Sequence, residues 1–406
     1  MTLLWLSHAI ASMTAAETSG AGLLTVISMV AVFSTIGLSA IVDSNTTPVH
    51  ATIKHFGFVM ATYVAIILLS HIDYRYYSKP SKPIFYVILV LLLIVLLIGE
   101  KGRWIYVFGI SFQPSELAKI VLMVFMANRI NAYRNRLEEK QTFINLLIPV
   151  GVVCVLVGIA NLSTAILILV AAYFTIYFGG VDKKIWWKYF VLIAGVVLLG
   201  LVLFYFMGDD IDFARSSTWG HRLQSWLKPN PDELTQENMA RMAVARGGFF
   251  GAGIGTTIHG RLMTQAHNDF IFAIIIEETG IFAGIAIFIL YAWFYYRCIC
   301  IASRCQGIFG SLCVAGIGTM LFLQAIANMA VAVGVLPVTG QTLPFISYGG
   351  SSYICLGCGI GIIQSVAHDQ NKKRKALAET NQGQAAHADD SQAETAPADS
   401  QSTMES

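Results

Sequence analysis

The 406-residue chain has 56% hydrophobic residues but only 12% charged residues. Soluble globular proteins carry about 25% charged residues, so this composition excludes an ordinary soluble enzyme. The net charge is +2 and the Lys and Arg residues are scattered, which predicts no nucleic-acid partner. The seven cysteines are an odd number and lie mostly in apolar runs, which argues against a disulfide framework.

The chain contains about ten apolar runs, each near the length of about 20 residues that crosses a bilayer. They predict an all-α polytopic membrane protein with a large extracytoplasmic loop between spans 7 and 8. A short leader (1–19) precedes the transmembrane domain (20–368), and an acidic tail (369–406) lacks the large apolar residues needed for a core, so we expect it to be disordered. The predicted spans are 20–42, 54–71, 83–99, 114–131, 143–160, 161–178, 186–207, 269–296, 308–334 and 344–367.

Positive charge is distributed unequally between the two sets of loops. Alternate short loops are rich in Lys and Arg, whereas the intervening short loops hold only Lys54, Lys101 and Arg103. Because positive loops face the cytoplasm, this alternation predicts an even number of spans with both termini in the cytoplasm. The Lys372 to Lys375 cluster is interpreted as a topology anchor, in preference to a nuclear signal or an anionic-lipid site.

The predicted loop 208–268 is much longer than an ordinary connection and contains several Trp, Phe and Met residues, so we expect structured pieces on the outer face. Its basic residues include Arg222 and Arg246. They are consistent either with a solvated or headgroup-facing loop or with phosphate binding through the Arg guanidinium groups. Glycines from Gly247 to Gly255 are interpreted as a tight backbone passage packed on helices, because a nucleotide-binding loop requires a different context.

Ionisable residues at membrane depth are costly and are therefore functional candidates. Glu116 and Lys119 lie three residues apart in the fourth predicted span. Asp269 begins the eighth predicted span, after His267 and before Glu277. Both groups lie near the outer face in the predicted topology. The alternative is that Glu116 and Lys119 only neutralise each other and that Asp269 only marks the interface.

Several ordered motifs across about residues 20–368 resemble the SEDS family (shape, elongation, division and sporulation) of bacterial membrane proteins. The motifs are Lys101-Gly102-Arg103-Trp104-Ile105, Gln113-Pro114-Ser115-Glu116-Leu117-Ala118-Lys119, Ala266-His267-Asn268-Asp269-Phe270-Ile271-Phe272-Ala273 with Glu277-Glu278, Gly334-Val335-Leu336-Pro337-Val338-Thr339-Gly340, and Leu343-Pro344-Phe345-Ile346-Ser347-Tyr348-Gly349-Gly350-Ser351-Ser352.

The resemblance implies a peptidoglycan glycosyltransferase that polymerises lipid II at the outer face of the cytoplasmic membrane and releases undecaprenyl pyrophosphate. Its implied partners are a class B penicillin-binding protein and other division proteins. It implies no tightly bound cofactor, and it allows a divalent cation, Mg²⁺ or Mn²⁺, beside the pyrophosphate. The subgroup similar to FtsW, which acts at the division septum, is favoured over the elongation subgroup similar to RodA.

The resemblance also implies roles for individual residues. Asp269 matches the family's catalytic aspartate and would take the proton of the attacking sugar hydroxyl. Lys119 matches a lysine that is thought to pair with that aspartate, and Glu116 would orient Lys119. The residues expected to contact substrate are Arg103, Glu116, Arg222, Arg246, His267 and Glu277.

The chain departs from the family pattern near these residues. Asn161 stands where an acid is common, and Thr264, Gln265 and Asn268 replace the usual residues before Asp269. Two other functions compete with polymerisation. A transporter that flips a lipid-linked precursor would also use many spans and an intramembrane ion pair. A scaffold for division proteins would account for the tail but not for Lys119 and Asp269.

Overall fold

A computed structural model describes residues 48–99, 103–107, 110–207, 216–228, 235–263, 268–347 and 350–394. The first predicted span and His267 lie outside the described residues. The helices are α1 (Pro48–Ser70), α2 (Ser81–Ile98), α3 (Pro114–Ala132), α4 (Lys140–Ala160), α5 (Leu162–Phe178), α6 (Lys183–Met207), α7 (Ser216–Leu227), α8 (Gln236–Gly247), α9 (His259–Leu262), α10 (Ile271–Thr279), α11 (Ile281–Arg304), α12 (Ile308–Ala332) and α13 (Gly350–Glu394).

A short antiparallel hairpin joins α2 to α3. Its strands are β1 (Ile105–Val107) and β2 (Ile110–Phe112), and Tyr106 is paired with Ser111. Two 3₁₀ turns, Tyr74–Ser78 and Arg134–Arg136, make further connections. Pro114 begins α3, where its fixed φ angle suits the first helical turn.

Within the described residues, five helices are long and apolar enough to cross a membrane. They are α2, α4, α6 over Lys183–Leu203, α11 and α12, and two shorter apolar helices cover Phe56–Ser70 and Leu162–Phe178. These helices agree with a polytopic membrane protein, and the count of ten spans stays a prediction. The outward faces of α2 and α6 are rich in exposed large apolar side chains, as expected for helices that contact lipid.

Helix α12 lies at the centre of the bundle and packs against α3, α5, α11 and α13. Most of its side chains are buried, including the polar Gln324 and Asn328. A second pair, α1 and α13, packs together at the side. Gly357 of α13 allows this close approach, because a Cβ there would lie 2.9 Å from the carbonyl oxygen of Thr62.

The polar break at Asn161 separates α4 from α5, as the sequence predicted. The Asn161 side chain caps α5 by accepting a hydrogen bond from the amide of Thr164 (3.3 Å). Asparagine and aspartate are both effective at this capping position, so the replacement of the usual acid preserves the start of the helix.

The predicted eighth span, 269–296, is interrupted. Helix α10 ends at Thr279, Gly280 adopts φ +87°, and α11 begins at Ile281. The segment that follows α8 occupies this break: the amides of Ala252 and Gly253 donate to the carbonyls of Glu277 (2.8 Å) and Glu278 (2.9 Å). Apolar periodicity alone does not reveal a break that is stabilised by a distant segment.

The last helix extends into the predicted tail, whose disorder stays a prediction. Helix α13 continues beyond residue 368 to Glu394. The composition that excludes a packed core is also rich in Ala, Gln, Glu and Lys, which are good helix formers. Lys373 forms an ion pair with Asp369 (2.9 Å) one turn earlier on this extension.

Candidate active site

One end of the bundle gathers the loops that the sequence placed on the outer side. The Nε of Arg103 donates to the carbonyl of Ala160 (2.7 Å), and Gln341 donates to Thr164 Oγ1 (2.6 Å). The segment after α2, the α4–α5 turn and the α12–α13 loop therefore meet here. At the other end, α13 contacts the end of α11 and the turn after α1.

Asp269 lies in the turn that precedes α10, outside the helices long enough to span a membrane. The side chain of Asn328 donates to its backbone carbonyl (2.9 Å) and to that of Gln341 (2.6 Å). Ser347 donates to the carbonyl of the preceding residue, Asn268 (2.6 Å). The backbone at Asp269 is thus fixed by α12 and by the loop that follows it.

The carboxylate of Asp269 is directed toward the α12–α13 loop. A Cβ added at Gly340 would lie 3.6 Å from its Oδ2 atom. Burial raises the pKa of Asp269 to about 6, and the positive charges of Arg222 and Arg103 partly offset this increase. A carboxylate with this pKa is ionised at neutral pH and is well matched to accept a proton.

The two arginines whose charges lower the pKa of Asp269 come from different parts of the chain. Arg103 lies just before β1, and Arg222 lies on α7, where its guanidinium donates to the carbonyl of Val338 (3.2 Å). Trp226, one turn later on α7, donates to the carbonyl of Gly334 (3.1 Å). Helix α7 therefore fixes Arg222 against the same loop that faces Asp269.

Lys119 lies deeper in the bundle, where it is 2% exposed. Its ammonium contacts Glu116 (2.7 Å) and the side-chain oxygen of Gln324 (2.7 Å). The predicted orienting role of Glu116 agrees with this geometry. The resemblance implied that Lys119 pairs with Asp269; among the described residues, the contacts of the ammonium are with Glu116 and Gln324 instead.

Gln324 and Asn328 connect the lysine to the aspartate indirectly. They are one turn apart on α12; Gln324 contacts Lys119 and donates to the Thr342 carbonyl (3.0 Å), whereas Asn328 contacts the Asp269 backbone. Neither residue was predicted from the sequence as part of the site. The signal was present, because two amides one turn apart in an otherwise apolar span are unusual for a helix that only fills a core.

Arg246 and Glu277, two predicted substrate contacts, form an ion pair with each other. Glu277 is 0% exposed, and its carboxylate accepts from Arg246 (2.7 Å), Thr257 and the amide of Ile258 (3.1 Å). His259 Nδ1 lies 2.9 Å from the same carboxylate. Through these contacts Glu277 and Arg246 attach the segment after α8 to α10, and their contact with substrate stays a prediction.

The glycines at the end of α8 and just after it form the tight passage that the sequence predicted. A Cβ at Gly247 would lie 2.1 Å from the carbonyl oxygen of Ile276, and one at Gly251 would lie 2.2 Å from that of Glu278. Only glycine allows the two backbones to approach this closely. The described residues contain no group of three or more His, Cys, Asp or Glu side chains arranged to hold a metal ion.

The chain resembles proteins of one family in sequence and in fold. A family described as "Cell cycle protein", which covers FtsW, RodA and SpoVE, matches residues 18–372. The "Probable peptidoglycan glycosyltransferase FtsW" of Geobacter sp. (strain M18) is 30% identical over 319 residues, which cover 76% of this chain and 84% of that relative. The "Peptidoglycan glycosyltransferase MrdB" of Escherichia coli (strain K12) is 28% identical over 322 residues, with 77% and 84% covered.

Two solved structures share the fold. One, titled "Structural coordination of polymerization and crosslinking by a peptidoglycan synthase complex", has a TM-score of 0.67 at 24% identity and covers 86% of this chain and 97% of its own. The other is the rod shape determining protein RodA of Thermus thermophilus, with a TM-score of 0.57 at 22% identity and coverage of 86% and 96%. The arrangement of helices is therefore one already seen in solved proteins.

Proposed function

This chain belongs to the FtsW, RodA and SpoVE family, the SEDS family that its motifs resemble, and we propose that it polymerises lipid II with Asp269 as the general base. As a member of this family it is a membrane-embedded peptidoglycan glycosyltransferase. The observation that supports the proposed role of Asp269 most strongly is its partly buried carboxylate, which lies on a backbone held by Asn328 and whose ionised form is favoured by the charges of Arg222 and Arg103.

The proposed reaction joins two lipid-linked disaccharides. The sugar hydroxyl of one attacks the anomeric carbon of the other while Asp269 accepts the hydroxyl proton. The bond from that carbon to the diphosphate breaks, and undecaprenyl pyrophosphate leaves with its bonding electrons. A pKa of about 6 keeps Asp269 ionised at neutral pH yet basic enough to assist the attack.

The leaving pyrophosphate requires positive charge. Arg103 and Arg222 are the candidates supported by the electrostatics at Asp269, and a guanidinium can bind phosphate oxygens through two parallel hydrogen bonds. A divalent cation, Mg²⁺ or Mn²⁺, would arrive on the pyrophosphate and add charge there. Lys119 and Glu116 would act by fixing α3 against α12, on which the Asp269 backbone depends.

We place this activity at the outer face of the cytoplasmic membrane, with both termini inside. The distribution of Lys and Arg supports this orientation. A class B penicillin-binding protein is the proposed partner, because the structure with a TM-score of 0.67 is titled as a complex that couples polymerisation to crosslinking. The motif sequences favour the division subgroup; depletion that gives filaments would support it, whereas rounded cells would indicate elongation.

Purified protein, alone and with its cognate penicillin-binding protein carrying an inactive transpeptidase site, should convert lipid II to glycan strands. Asp269→Ala should abolish the strands. Asp182→Ala is the matched control, because it removes an exposed carboxylate at the start of α6. Equal polymer from Asp269→Ala would overturn the role of Asp269. Movement of labelled lipid II across vesicles without any polymer would overturn the polymerase and favour the transporter.

A further inference from the structure

At the end of the bundle opposite Asp269, a basic cavity lies between the end of α11 and the middle of α13. Its volume is about 450 Å³. Arg304 and Gln306 line it from the α11 side, and Asp369, Gln370, Lys373 and Arg374 line it from α13.

One hydrogen bond joins the two sides of the basic cavity. Gln370 of α13 donates to the carbonyl of Ile301 on α11 (2.8 Å). Asp369 accepts an ion pair from Lys373 (2.9 Å) and is 3.9 Å from Arg75. The Asp369 carboxylate is shared by Lys373 and Arg75. Arg304 and Arg374 therefore add positive charge that gives the cavity a net positive charge. The cavity is therefore matched to an anion.

An exposed apolar stripe on α11 leads to the basic cavity. Phe282, Ile285, Ile289 and Tyr296 are exposed along the helix, and Arg304 is exposed at its end. With 3.6 residues per turn, these five positions fall within about 100° of one another. Helix α11 is long and apolar enough to cross a membrane, so the stripe faces acyl chains.

An apolar stripe that ends at a group of cations is complementary to a lipid whose acyl chains are apolar and whose headgroup is anionic. We propose that the basic cavity, which includes Lys373 and Arg374 of the cluster interpreted from sequence as a topology anchor, also binds the phosphate of an anionic phospholipid whose acyl chains lie along the α11 stripe. Basic pockets between membrane helices bind such headgroups. A free phosphate ion would contact the cations but not the stripe, whereas a phospholipid would contact both. This difference distinguishes a lipid headgroup from inorganic phosphate. The site is remote from the proposed reaction and uses none of its residues.

Native mass spectrometry of the full chain in detergent tests this proposal with phosphatidylglycerol and with phosphatidylcholine of the same acyl chains. The wild type should retain phosphatidylglycerol about tenfold more tightly. Arg304→Gln with Arg374→Gln leaves the Lys373–Asp369 pair intact and should weaken phosphatidylglycerol binding about fivefold for each removed cation. Phosphatidylcholine binding should not change.

The matched control is Lys183→Gln with Lys184→Gln, which removes two exposed charges at the start of α6. It should retain the preference for phosphatidylglycerol, and an equal loss would indicate nonspecific surface charge and overturn the proposal. Displacement of the lipid by inorganic phosphate at a similar concentration would indicate a free-phosphate site and also overturn it. Arg304→Lys with Arg374→Lys should restore binding, which guards against a folding defect in the Gln variant.

Discussion

The ammonium of Lys119 lies 2.7 Å from the carboxylate of Glu116, one turn earlier on α3. The same ammonium contacts Gln324 of α12, so this ion pair is a link between two central helices. Four residues later on α12, Asn328 holds the backbone of Asp269. The lysine is therefore connected to the proposed base through helix α12, without direct contact.

Removal of Lys119 should destabilise the bundle. Lys119→Met leaves Glu116 without its cation in a mostly buried position, which should reduce the free energy of unfolding by about 3 kcal/mol. The double variant Lys119→Met with Glu116→Gln should recover much of that loss. Thermal unfolding in detergent measures both effects. If Lys119→Met unfolded like the wild type yet lost polymerisation, Lys119 would act on the substrate. The proposed structural role of Lys119 in joining α3 to α12 would then be wrong.

The contact between Gly247 and α10 predicts a strong effect of one added methyl group. Gly247→Ala places a Cβ 2.1 Å from the Ile276 carbonyl oxygen and should cost about 1 to 3 kcal/mol through displacement of α8. Gly200→Ala is the control, because its added Cβ would meet no atom within 4 Å beyond the backbone of its own helix, and alanine favours the helix. Equal melting temperatures for the two variants would show that α8 and α10 do not pack this closely.

Glu277 should matter for attachment of the segment after α8. Glu277→Ala removes a buried carboxylate that binds Arg246, Thr257 and His259, so we expect a loss of about 3 kcal/mol or more and faster proteolysis within residues 248–263. Glu139→Ala changes an exposed carboxylate at the start of α4 and should have little effect. Unchanged protection of this segment in Glu277→Ala, together with a raised KM for lipid II, would instead support the substrate-binding role that the sequence suggested.

The raised pKa of Asp269 predicts the pH dependence of the activity. Below pH 6 the base becomes protonated, so kcat/KM for lipid II should fall about tenfold per pH unit, and above pH 6 it should reach a plateau. Initial rates between pH 4.5 and 8 measure this profile. A rate that stayed constant down to pH 4.5 would exclude a base with this pKa.

The same pKa predicts that stability falls with rising pH, whereas activity rises. Because the folded-state pKa of about 6 exceeds the ordinary value of 3.8, the stabilising contribution of the proton is present at low pH and is lost as the pH rises through about 6. Asp269→Asn should therefore raise the free energy of unfolding by about 1 to 3 kcal/mol at pH 7, and this gain should disappear near pH 4. A gain of equal size at both pH values would contradict ionisation as its cause.

The sequence predicted the elements with simple periodicity well and the long-range contacts poorly. The break at Asn161 follows from a polar residue between two apolar runs, and the structure places a helix cap there. The break at Gly280 depends on hydrogen bonds from Ala252 and Gly253, which no local pattern encodes.

The candidate site shows the same division. The motifs identified Asp269, Lys119 and Glu116, and the resemblance implied that Lys119 pairs with Asp269, whereas in the structure the lysine contacts Glu116 and Gln324. Arg246 and Glu277 were predicted separately as substrate contacts. Their mutual ion pair joins residues far apart in the chain, which spacing alone does not reveal.

The initial rate of lipid II consumption at saturating substrate, compared between wild type and Asp269→Asn, tests the central claim most directly. The variant is nearly isosteric and should remain folded, so a change in kcat reports on the proton acceptor. A general base contributes about 10² to 10⁴-fold, and we predict a decrease within this range. A variant rate within threefold of the wild type would contradict Asp269 as the base.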